Sequence, residues 1–276
     1  MDEPSLFKGG YRVIPSFVNA HELHALKDLV DRVASSSLHP GMSRPGNDLA
    51  PLRWCDDLCS VFLSDSQRLQ LLHEAISPRD LKWISGYVST KQPGSPPLYW
   101  HQDWWCWNHP LSFERRISQI ALLCYLTDTN RHSGALRVLP RSHHRSSPIH
   151  RYLPEPHAHH ADKLPEDHPA MRDVEGQVTL DLMAGDAVIL DYRLLHGTHP
   201  NATDRRRDCV LLSFVLDWAG LPPEIRAHLI AHPALPDESE RQAGIQCGFR
   251  DLIPFYQGEL ADLTVSRVPP GDFVIA

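Results

Sequence analysis

Six short apolar segments between residues 81 and 218 constrain the fold of this chain more than any other feature. They are rich in Val, Ile, Leu and Tyr and are bounded by Gly, Pro, Asn and Asp, as β-strands are. A tight turn at Ala184-Gly185-Asp186 separates two of them. The pattern predicts a mainly β domain, an antiparallel sandwich or barrel with helices packed outside. The segments cover residues 81–90, 117–126, 135–139, 177–182, 187–192 and 209–218.

The N-terminal third has helical periodicity, so we expect a helical lead over about residues 1–78. Asn19 and Glu22 have the spacing of a capping box, and apolar residues recur at helical spacing from Leu23 to Val33. A second helix is predicted to begin after residue 64 or 65 and to end near residue 76.

Two further segments lack the strand pattern. Residues 141–169 are rich in His, Pro and Arg, and we interpret this long loop as a lid. Residues 219–276 carry many prolines and are expected to wrap the barrel. Because no repeat or low-complexity linker divides the chain, we predict one domain over residues 1–276, with its β core at about 79–218.

Charge and composition exclude several classes of protein. The formal net charge is −7, and the one dense basic run is Arg205-Arg206-Arg207, which argues against a nucleic-acid-binding surface. No apolar stretch reaches the ~18 residues that a membrane span needs, and the acidic N-terminus does not resemble a secretory signal. The six cysteines form no C-x-x-C pair and are typical of reduced thiols. We expect a cytoplasmic protein that acts on a small molecule, without nucleic-acid or membrane partners; the sequence does not indicate its oligomeric state.

The segment YWHQDWW at residues 99–105 carries the sharpest local chemical signal. In an extended segment His101 and Asp103 project to the same side, so that an imidazole and a carboxylate can bind one face of a metal ion. A surface ion pair beside an aromatic patch is the alternative. Pairs of this spacing also arise by chance in a chain with 18 histidines, and we interpret the second one, His160-Ala161-Asp162, in that way.

A third ligand is predicted at His196, which follows the apolar segment 187–192. Two histidines and one carboxylate form the facial triad that leaves adjacent positions open on Fe(II). Eleven residues later Arg207 opens the next apolar segment, where a fixed guanidinium can bind a carboxylate. 2-Oxoglutarate, which chelates iron at one end and carries a carboxylate at the other, suits this arrangement. A solvated turn is the alternative, and it suits Arg205 and Arg206 better than Arg207.

Three blocks together resemble the phytanoyl-CoA dioxygenase family of Fe(II)/2-oxoglutarate oxygenases, which also includes ectoine hydroxylase-like enzymes. They are YWHQD at residues 99–103, SGALRVLPRSH at residues 133–143, and His196-Gly197-Thr198-x-x-Asn201 with Arg207 at +11. The blocks follow one another in the family's order across about half of the chain. Ser133 and Arg141 replace the family's Asn and Gly, which leaves the path of that loop open but does not touch the metal ligands.

The resemblance implies a double-stranded β-helix, or jelly roll, with N-terminal and flanking α-helices and with iron near one mouth. It implies that His101, Asp103 and His196 bind Fe(II), that Arg207 binds the distal carboxylate of 2-oxoglutarate, and that O₂ is consumed. Three polar residues are further candidates for cosubstrate contacts, although each could instead be a satisfied polar group inside the barrel: Tyr87, Lys91 and Gln119.

The implied enzyme is a 2-oxoglutarate-dependent non-haem iron dioxygenase that hydroxylates an unactivated C–H bond of a small metabolite and releases succinate and CO₂. Asp103 favours hydroxylation over halogenation, because related halogenases lack this carboxylate and bind chloride in its place. Desaturation, epimerisation and ring formation are alternatives with the same cofactors. A zinc hydrolase would not need Arg207, and the complete triad argues against a jelly-roll binding module without catalysis.

Substrate contacts are predicted at Trp104, Trp105 and Trp107, which could wall a pocket or stack on an apolar or cationic substrate. Packing of a loop against the barrel is the alternative. The seven histidines between residues 143 and 168 could indicate a second metal, but we interpret them as polar loop residues. His199 rivals His196 as a ligand, and the family register favours His196.

Overall fold

The computed structural model describes residues 5–35, 46–156, 163–261 and 263–275, together with the backbone of residues 42–44. Within these ranges the chain forms eleven strands. They are β1 (Tyr11–Ile14), β2 (Met42–Arg44), β3 (Asn47–Leu52), β4 (Lys82–Lys91), β5 (Leu98–His101), β6 (Gln119–Tyr125), β7 (Leu136–Val138), β8 (Val178–Thr179), β9 (Ala187–Asp191), β10 (His196–Thr198) and β11 (Arg207–Val215).

The strands form two sheets in which every strand pair is antiparallel. The larger sheet has the order β1-β9-β6-β11-β4-β3-β2, and the smaller one has the order β5-β10-β7-β8. Most neighbours are therefore distant in sequence, as expected when a chain winds back and forth between two layers. This is the mainly antiparallel β architecture that the apolar segments predict.

Six helices accompany the sheets in the described part of the chain, and none of them is both long and apolar enough to cross a membrane. The two predicted helices are present with the predicted caps. The Asn19 side chain accepts hydrogen bonds from the backbone N–H groups of His21 and Glu22 at 3.0 and 3.1 Å, and the Asp65 carboxylate accepts one from Arg68 at 2.8 Å. The helices are α1 (Leu6–Gly9), α2 (Ala20–Ser35), α3 (Asp57–Leu63), α4 (Ser66–Ile76), α5 (Pro223–Ile230) and α6 (Glu238–Gln242).

The predicted helical lead over residues 1–78 is incomplete, because β1, β2 and β3 also fall within it. These strands are short and obtain their hydrogen bonds from partners far along the chain, β1 from β9 and β3 from β4. Pro51, which disfavours a central strand, is tolerated in β3 because β2 pairs only with Asn47–Leu49 and leaves the rest of that edge uncovered. Local periodicity could not reveal either pairing.

Side chains alternate along β6, so one face of the strand packs in an apolar core and the other faces the space between the two sheets. Ile120, Leu122 and Cys124 belong to a cluster with apolar residues of α2, α3 and α4, so the N-terminal helices cover the outer face of the larger sheet. Gln119 and Tyr125, on the other face of β6, line a cavity between the two sheets. The fold therefore places one face of β6 in the core and the other in the candidate site.

Residues of the C-terminal extension also line this cavity. Leu229 of α5 lines the cavity, and Ile225 packs in a second apolar cluster that includes Trp218 and Phe273. The extension, predicted to wrap the barrel, thus contributes both packing and cavity wall.

Candidate metal centre

The three predicted metal ligands meet where β5 and β10 pair. His196 lies opposite His101 in the antiparallel register, and their ring centroids are 4.2 Å apart. Asp103 follows β5 by two residues. Its Oδ1 lies 3.7 Å from His101 Nε2, and its Oδ2 lies 3.5 Å from His196 Nε2. One donor atom of each residue lies within 4.8 Å of the other two.

Backbone carbonyl groups set the tautomer of both histidines. Nδ1 of His101 is 2.9 Å from the carbonyl oxygen of Tyr99, and Nδ1 of His196 is 3.0 Å from that of Leu194. A carbonyl oxygen can only accept, so each Nδ1 carries the proton and each Nε2 presents its lone pair towards Asp103. Such outer hydrogen bonds fix the orientation of metal-binding imidazoles.

The donor set fits a single divalent ion. Two cis ligands at ~2.1 Å from a metal lie about 3 Å apart, so the observed 3.5 and 3.7 Å contacts need to close by only about half an ångström. Two imidazoles and one carboxylate on one side leave the opposite side open, the arrangement of non-haem iron oxygenases. No other group of three potential ligands occurs among the residues that the structure describes.

Residues of the predicted motifs hold β10 against β5. A Cβ on Gly197 would lie 2.8 Å from the carbonyl oxygen of Leu98, so glycine permits the close approach of the two strands. Ser142 accepts a hydrogen bond from the backbone N–H of Leu195, next to the ligand His196. Arg141 adopts φ 71°, the left-handed conformation that favours glycine, at the position where the family has Gly.

The triad opens into a cavity of about 400 Å³ between the two sheets. Both sheets line it, β3, β4, β6 and β11 from the larger one and β5, β7 and β10 from the smaller one. A β-bulge at Ile84, where the pairing of β4 with β11 shifts by one residue, brings both Ile84 and Ser85 to the cavity. This volume is in the usual range for a small-molecule site.

Arg207 lines the same cavity and is buried. Its Nη2 donates to Asn47 Oδ1 at 2.8 Å and to Ser89 Oγ at 3.3 Å, which orients the guanidinium. Its Nε makes no hydrogen bond in the described part of the chain, and its Cζ lies 5.6 Å from the centroid of the Tyr125 ring. A buried guanidinium whose nitrogens are not all engaged is suited to an anion that accepts from it.

Gln119 and Tyr87 also line the cavity. Both ends of the Gln119 amide are engaged, because its Oε1 accepts from Trp105 Nε1 at 2.9 Å and its Nε2 donates to Ser213 Oγ at 2.8 Å. Gln119 therefore fixes Trp105, a role that the sequence did not indicate. Its predicted contact with the cosubstrate stays a prediction, as does that of Tyr87.

Lys91 is not among the described residues that line the cavity. It is the last residue of β4 rather than part of a loop, and its Nζ donates to the carbonyl oxygens of Gly46 and Pro96. Gly134, at φ 78°, leaves room for the lysine stem, since a Cβ there would lie 2.6 Å from Lys91 Cδ. The structure thus gives Lys91 a loop-fastening role and does not bring it to the triad.

Of the three predicted tryptophans, the structure brings Trp105 to the cavity. Trp104 donates to Ser112 Oγ at 2.8 Å, and Trp107 packs against Phe273, so both lie in the apolar cluster behind the cavity wall. For Trp104 and Trp107 these contacts match the alternative of loop packing.

The rival ligand His199 does not join the triad. It is buried beside Thr179, with Nε2 2.8 Å from the threonine hydroxyl. Burial, and next Arg137, lower its pKa to about 4.

The predicted lid contributes no described residue to the cavity lining. Its Ile149 packs instead with Trp100, Leu139 and Leu195. The second His-x-Asp pair, at 160 and 162, and the histidines at 157 and 159 lie outside the described residues.

Sequence reasoning missed several lining residues. His228, His232 and Arg267 come from the C-terminal extension, which has no strand-like pattern. Pro222-Pro223-Glu224 is a helix-start signal that could have identified α5 and placed His228 on it. No local signal points to Arg267.

A protein-family model described as phytanoyl-CoA dioxygenase (PhyH) matches residues 7–209, a range that covers more than half of the chain and includes the triad and Arg207. The chain belongs to the phytanoyl-CoA dioxygenase family. The resemblance seen in the sequence and the predicted enzyme class, an iron- and 2-oxoglutarate-dependent dioxygenase, are therefore confirmed at the level of the family.

Three individual proteins are similar to this member of the phytanoyl-CoA dioxygenase family. A probable alpha-ketoglutarate-dependent hypophosphite dioxygenase of Stutzerimonas stutzeri is 28% identical over 218 residues, which cover 74% of each chain. The solved structure of SnoN, an alpha-ketoglutarate-dependent epimerase from nogalamycin biosynthesis, has a TM-score of 0.57 at 17% identity and covers 91% of this chain and 92% of its own. HygX from Streptomyces hygroscopicus, solved with nickel and 2-oxoglutarate, has a TM-score of 0.58 at 18% identity over 76% of this chain and 84% of its own. The two structures confirm the predicted jelly-roll fold.

Proposed function

We propose that this chain is an Fe(II)- and 2-oxoglutarate-dependent dioxygenase that oxidises a C–H bond of a small-molecule metabolite and releases succinate and CO₂. The observation that carries the proposal is the opening of one cavity onto both the His101–Asp103–His196 triad and Arg207. A metal centre with an arginine in the same pocket suits a cosubstrate that chelates the metal and carries a second carboxylate.

Each ligand contributes through its geometry. The two Nε2 atoms and one Asp103 oxygen hold the ion on one side, and the backbone contacts of both Nδ1–H groups keep the imidazoles from turning. Iron with 2-oxoglutarate and O₂ supplies the oxidising chemistry when bound. The chain supplies orientation and excludes water from the space between the sheets.

Arg207 orients the cosubstrate. Asn47 and Ser89 hold one nitrogen of its guanidinium, and Nε has no hydrogen-bond partner among the described residues. A carboxylate bound beside this guanidinium accepts charge-assisted hydrogen bonds from it, which offset the cost of burying the charge.

Hydroxylation is the outcome that we favour. Asp103 disfavours halogenation, because its carboxylate occupies the position that a halide would need. The fold-level similarity to an epimerase keeps inversion at a C–H centre, together with desaturation and ring formation, as the alternative outcome. Analysis of the product formed from a turned-over substrate distinguishes them, since hydroxylation alone adds one oxygen atom.

The proposal is tested by succinate release from enzyme loaded with Fe(II) or with zinc. We expect 2-oxoglutarate and O₂ to be consumed by the iron enzyme, slowly even without a prime substrate, and not by the zinc enzyme. In Asp103→Ala the rate of succinate release should fall by more than the ~10- to 100-fold that removal of an outer hydrogen-bond partner of a metal ligand typically costs. Asp167→Ala, which changes an exposed aspartate outside the cavity, is the matched control. Undiminished turnover by Asp103→Ala would contradict the proposal.

A further inference from the structure

Three basic side chains of the C-terminal extension line the cavity in addition to Arg207 and the triad: His228 of α5, His232 just after it, and Arg267. We propose, building on the dioxygenase function proposed above, that they form an anion-binding subsite for the prime substrate. The substrate class is then a small organic anion, a carboxylate or a phosphorus or sulfur oxyanion. Arg207 binds 2-oxoglutarate in the proposed function, so the cosubstrate and the substrate anion each bind a different arginine.

Backbone hydrogen bonds fix the position of Arg267 relative to the metal ligands. The backbone N–H of its neighbour Ser266 donates to the carbonyl oxygen of Trp105, and Trp107 N–H donates to the carbonyl oxygen of Ser266, each at 2.9 Å. The segment that bears Arg267 is thus fastened to the stretch that follows Asp103. A residue held in this way can define a binding site even though it lies in an extension with little regular structure.

The cavity gives Arg267 no acidic partner. Its guanidinium makes no ion pair or hydrogen bond with the residues that the structure describes, and Asp103 is the one carboxylate among the described lining residues. Asp103 already faces the two triad histidines. A half-buried cation without a counter-charge in a cavity favours an incoming anion.

The charges around the two histidines are also positive. Burial lowers the pKa of His228, and Arg267 lowers it further. Burial, with His228 beside it, lowers the pKa of His232 to about 4. No carboxylate acts on either imidazole, so both histidines are neutral near pH 7 and Arg267 supplies the charge of the subsite.

His232 is nevertheless set to donate. Its Nδ1 accepts a hydrogen bond from the backbone N–H of Ala234 at 3.1 Å, so the proton of the neutral ring resides on Nε2. An N–H donor and a guanidinium that line the same cavity are complementary to an oxyanion. His228 stacks on Trp105 at 4.5 Å between ring centroids and forms a flat wall for the body of the substrate. The cationic substrate considered for Trp105 is disfavoured by Arg267.

Binding of four probes with a common three-carbon body tests the subsite: butyrate, propylphosphonate, propanesulfonate and the neutral butyramide. Each is titrated calorimetrically into enzyme saturated with Ni²⁺ and 2-oxoglutarate, so that the Arg207 end is occupied. We expect at least one anion to bind at millimolar concentration and butyramide not to bind. The anion preferred identifies carboxylate, phosphonate or sulfonate as the group recognised.

Variants then assign the binding to these residues. Arg267→Gln should raise the Kd of the bound anion roughly 10- to 100-fold, the loss of one charge-assisted hydrogen bond. His232→Gln should have a smaller effect of the same sign. Arg115→Gln, which changes an exposed arginine outside the cavity, should have none.

Two outcomes overturn the subsite: equal binding of butyrate and butyramide, or an anion whose Kd is the same in Arg267→Gln and in the unaltered enzyme. Absence of binding by all three anions overturns it as well. Succinate release by the unaltered Fe(II)-loaded enzyme, measured without prime substrate, separates this failure from failure of the dioxygenase proposal. That slow turnover needs the triad and Arg207 but not Arg267.

Discussion

Replacing Arg207 by alanine tests the cosubstrate site most sharply among the single substitutions. The guanidinium is buried, one nitrogen is held by Asn47 and Ser89, and Nε has no partner among the described residues. Each charge-assisted hydrogen bond to a carboxylate contributes about 1.5–3 kcal/mol, or roughly 10- to 150-fold in affinity. Loss of one such bond together with the charge predicts a rise of about 100-fold or more in the KM for 2-oxoglutarate.

The assay is succinate release by Fe(II)-loaded enzyme over a range of 2-oxoglutarate concentrations. Arg207→Lys should lie between Arg207→Ala and the unaltered enzyme, because an ammonium keeps the charge but not the planar fork. Arg205→Gln, at an exposed arginine two residues away, should leave the KM unchanged. Asn47 and Ser89 bond to each other at 2.7 Å and can stay paired in Arg207→Ala, and thermal melting checks that this variant folds. A KM that rises equally in Arg207→Ala and Arg205→Gln would refute the reasoning.

Three other substitutions test the surroundings of the site. Gln119→Leu leaves the buried Trp105 N–H without its acceptor and should lower the free energy of unfolding by about 1–3 kcal/mol in urea titrations; no loss would mean that this bond is dispensable. Burial, and next Arg207, lower the pKa of Lys91 from 10.5 to about 7, so between these pH values the unfolded chain binds a proton that the folded chain lacks. The stability of the unaltered protein relative to Lys91→Met should therefore rise with pH above 7, by up to about 1.4 kcal/mol per pH unit, and a flat difference in urea titrations would contradict this. Arg193→Met leaves the buried Asp191 without its ion pair and should cost about 3–5 kcal/mol in the same titrations, whereas a loss below 1 kcal/mol would show that the carboxylate finds another partner.

The sequence predicted the chemistry of the site better than its position in the fold. The i, i+2 spacing of His101 and Asp103 is a local property that an extended backbone converts directly into shared direction. The register that sets His196 opposite His101 depends on pairing between β5 and β10, which are short and far apart in the chain. Motif order suggested that the three residues meet, but the pairing itself has no local signature.

The residues that escaped prediction share one physical cause. β1 and β3 are strands because distant neighbours satisfy their hydrogen bonds, although Pro51 in β3 is untypical of a strand. Arg267 reaches the cavity because Ser266 pairs with the segment after Asp103. In each case a contact of long sequence separation decides the local structure, and periodicity within a short window carries no information about it.

Anaerobic titration of the Fe(II)-loaded enzyme with 2-oxoglutarate, followed by visible absorption, tests the central claim that the triad and Arg207 bind iron and 2-oxoglutarate together. The account predicts a weak charge-transfer band that saturates with one equivalent of cosubstrate, is absent in Asp103→Ala and needs much higher concentrations in Arg207→Ala. A metal-loaded enzyme that gives no band, or a band of the same strength in Asp103→Ala, would contradict it.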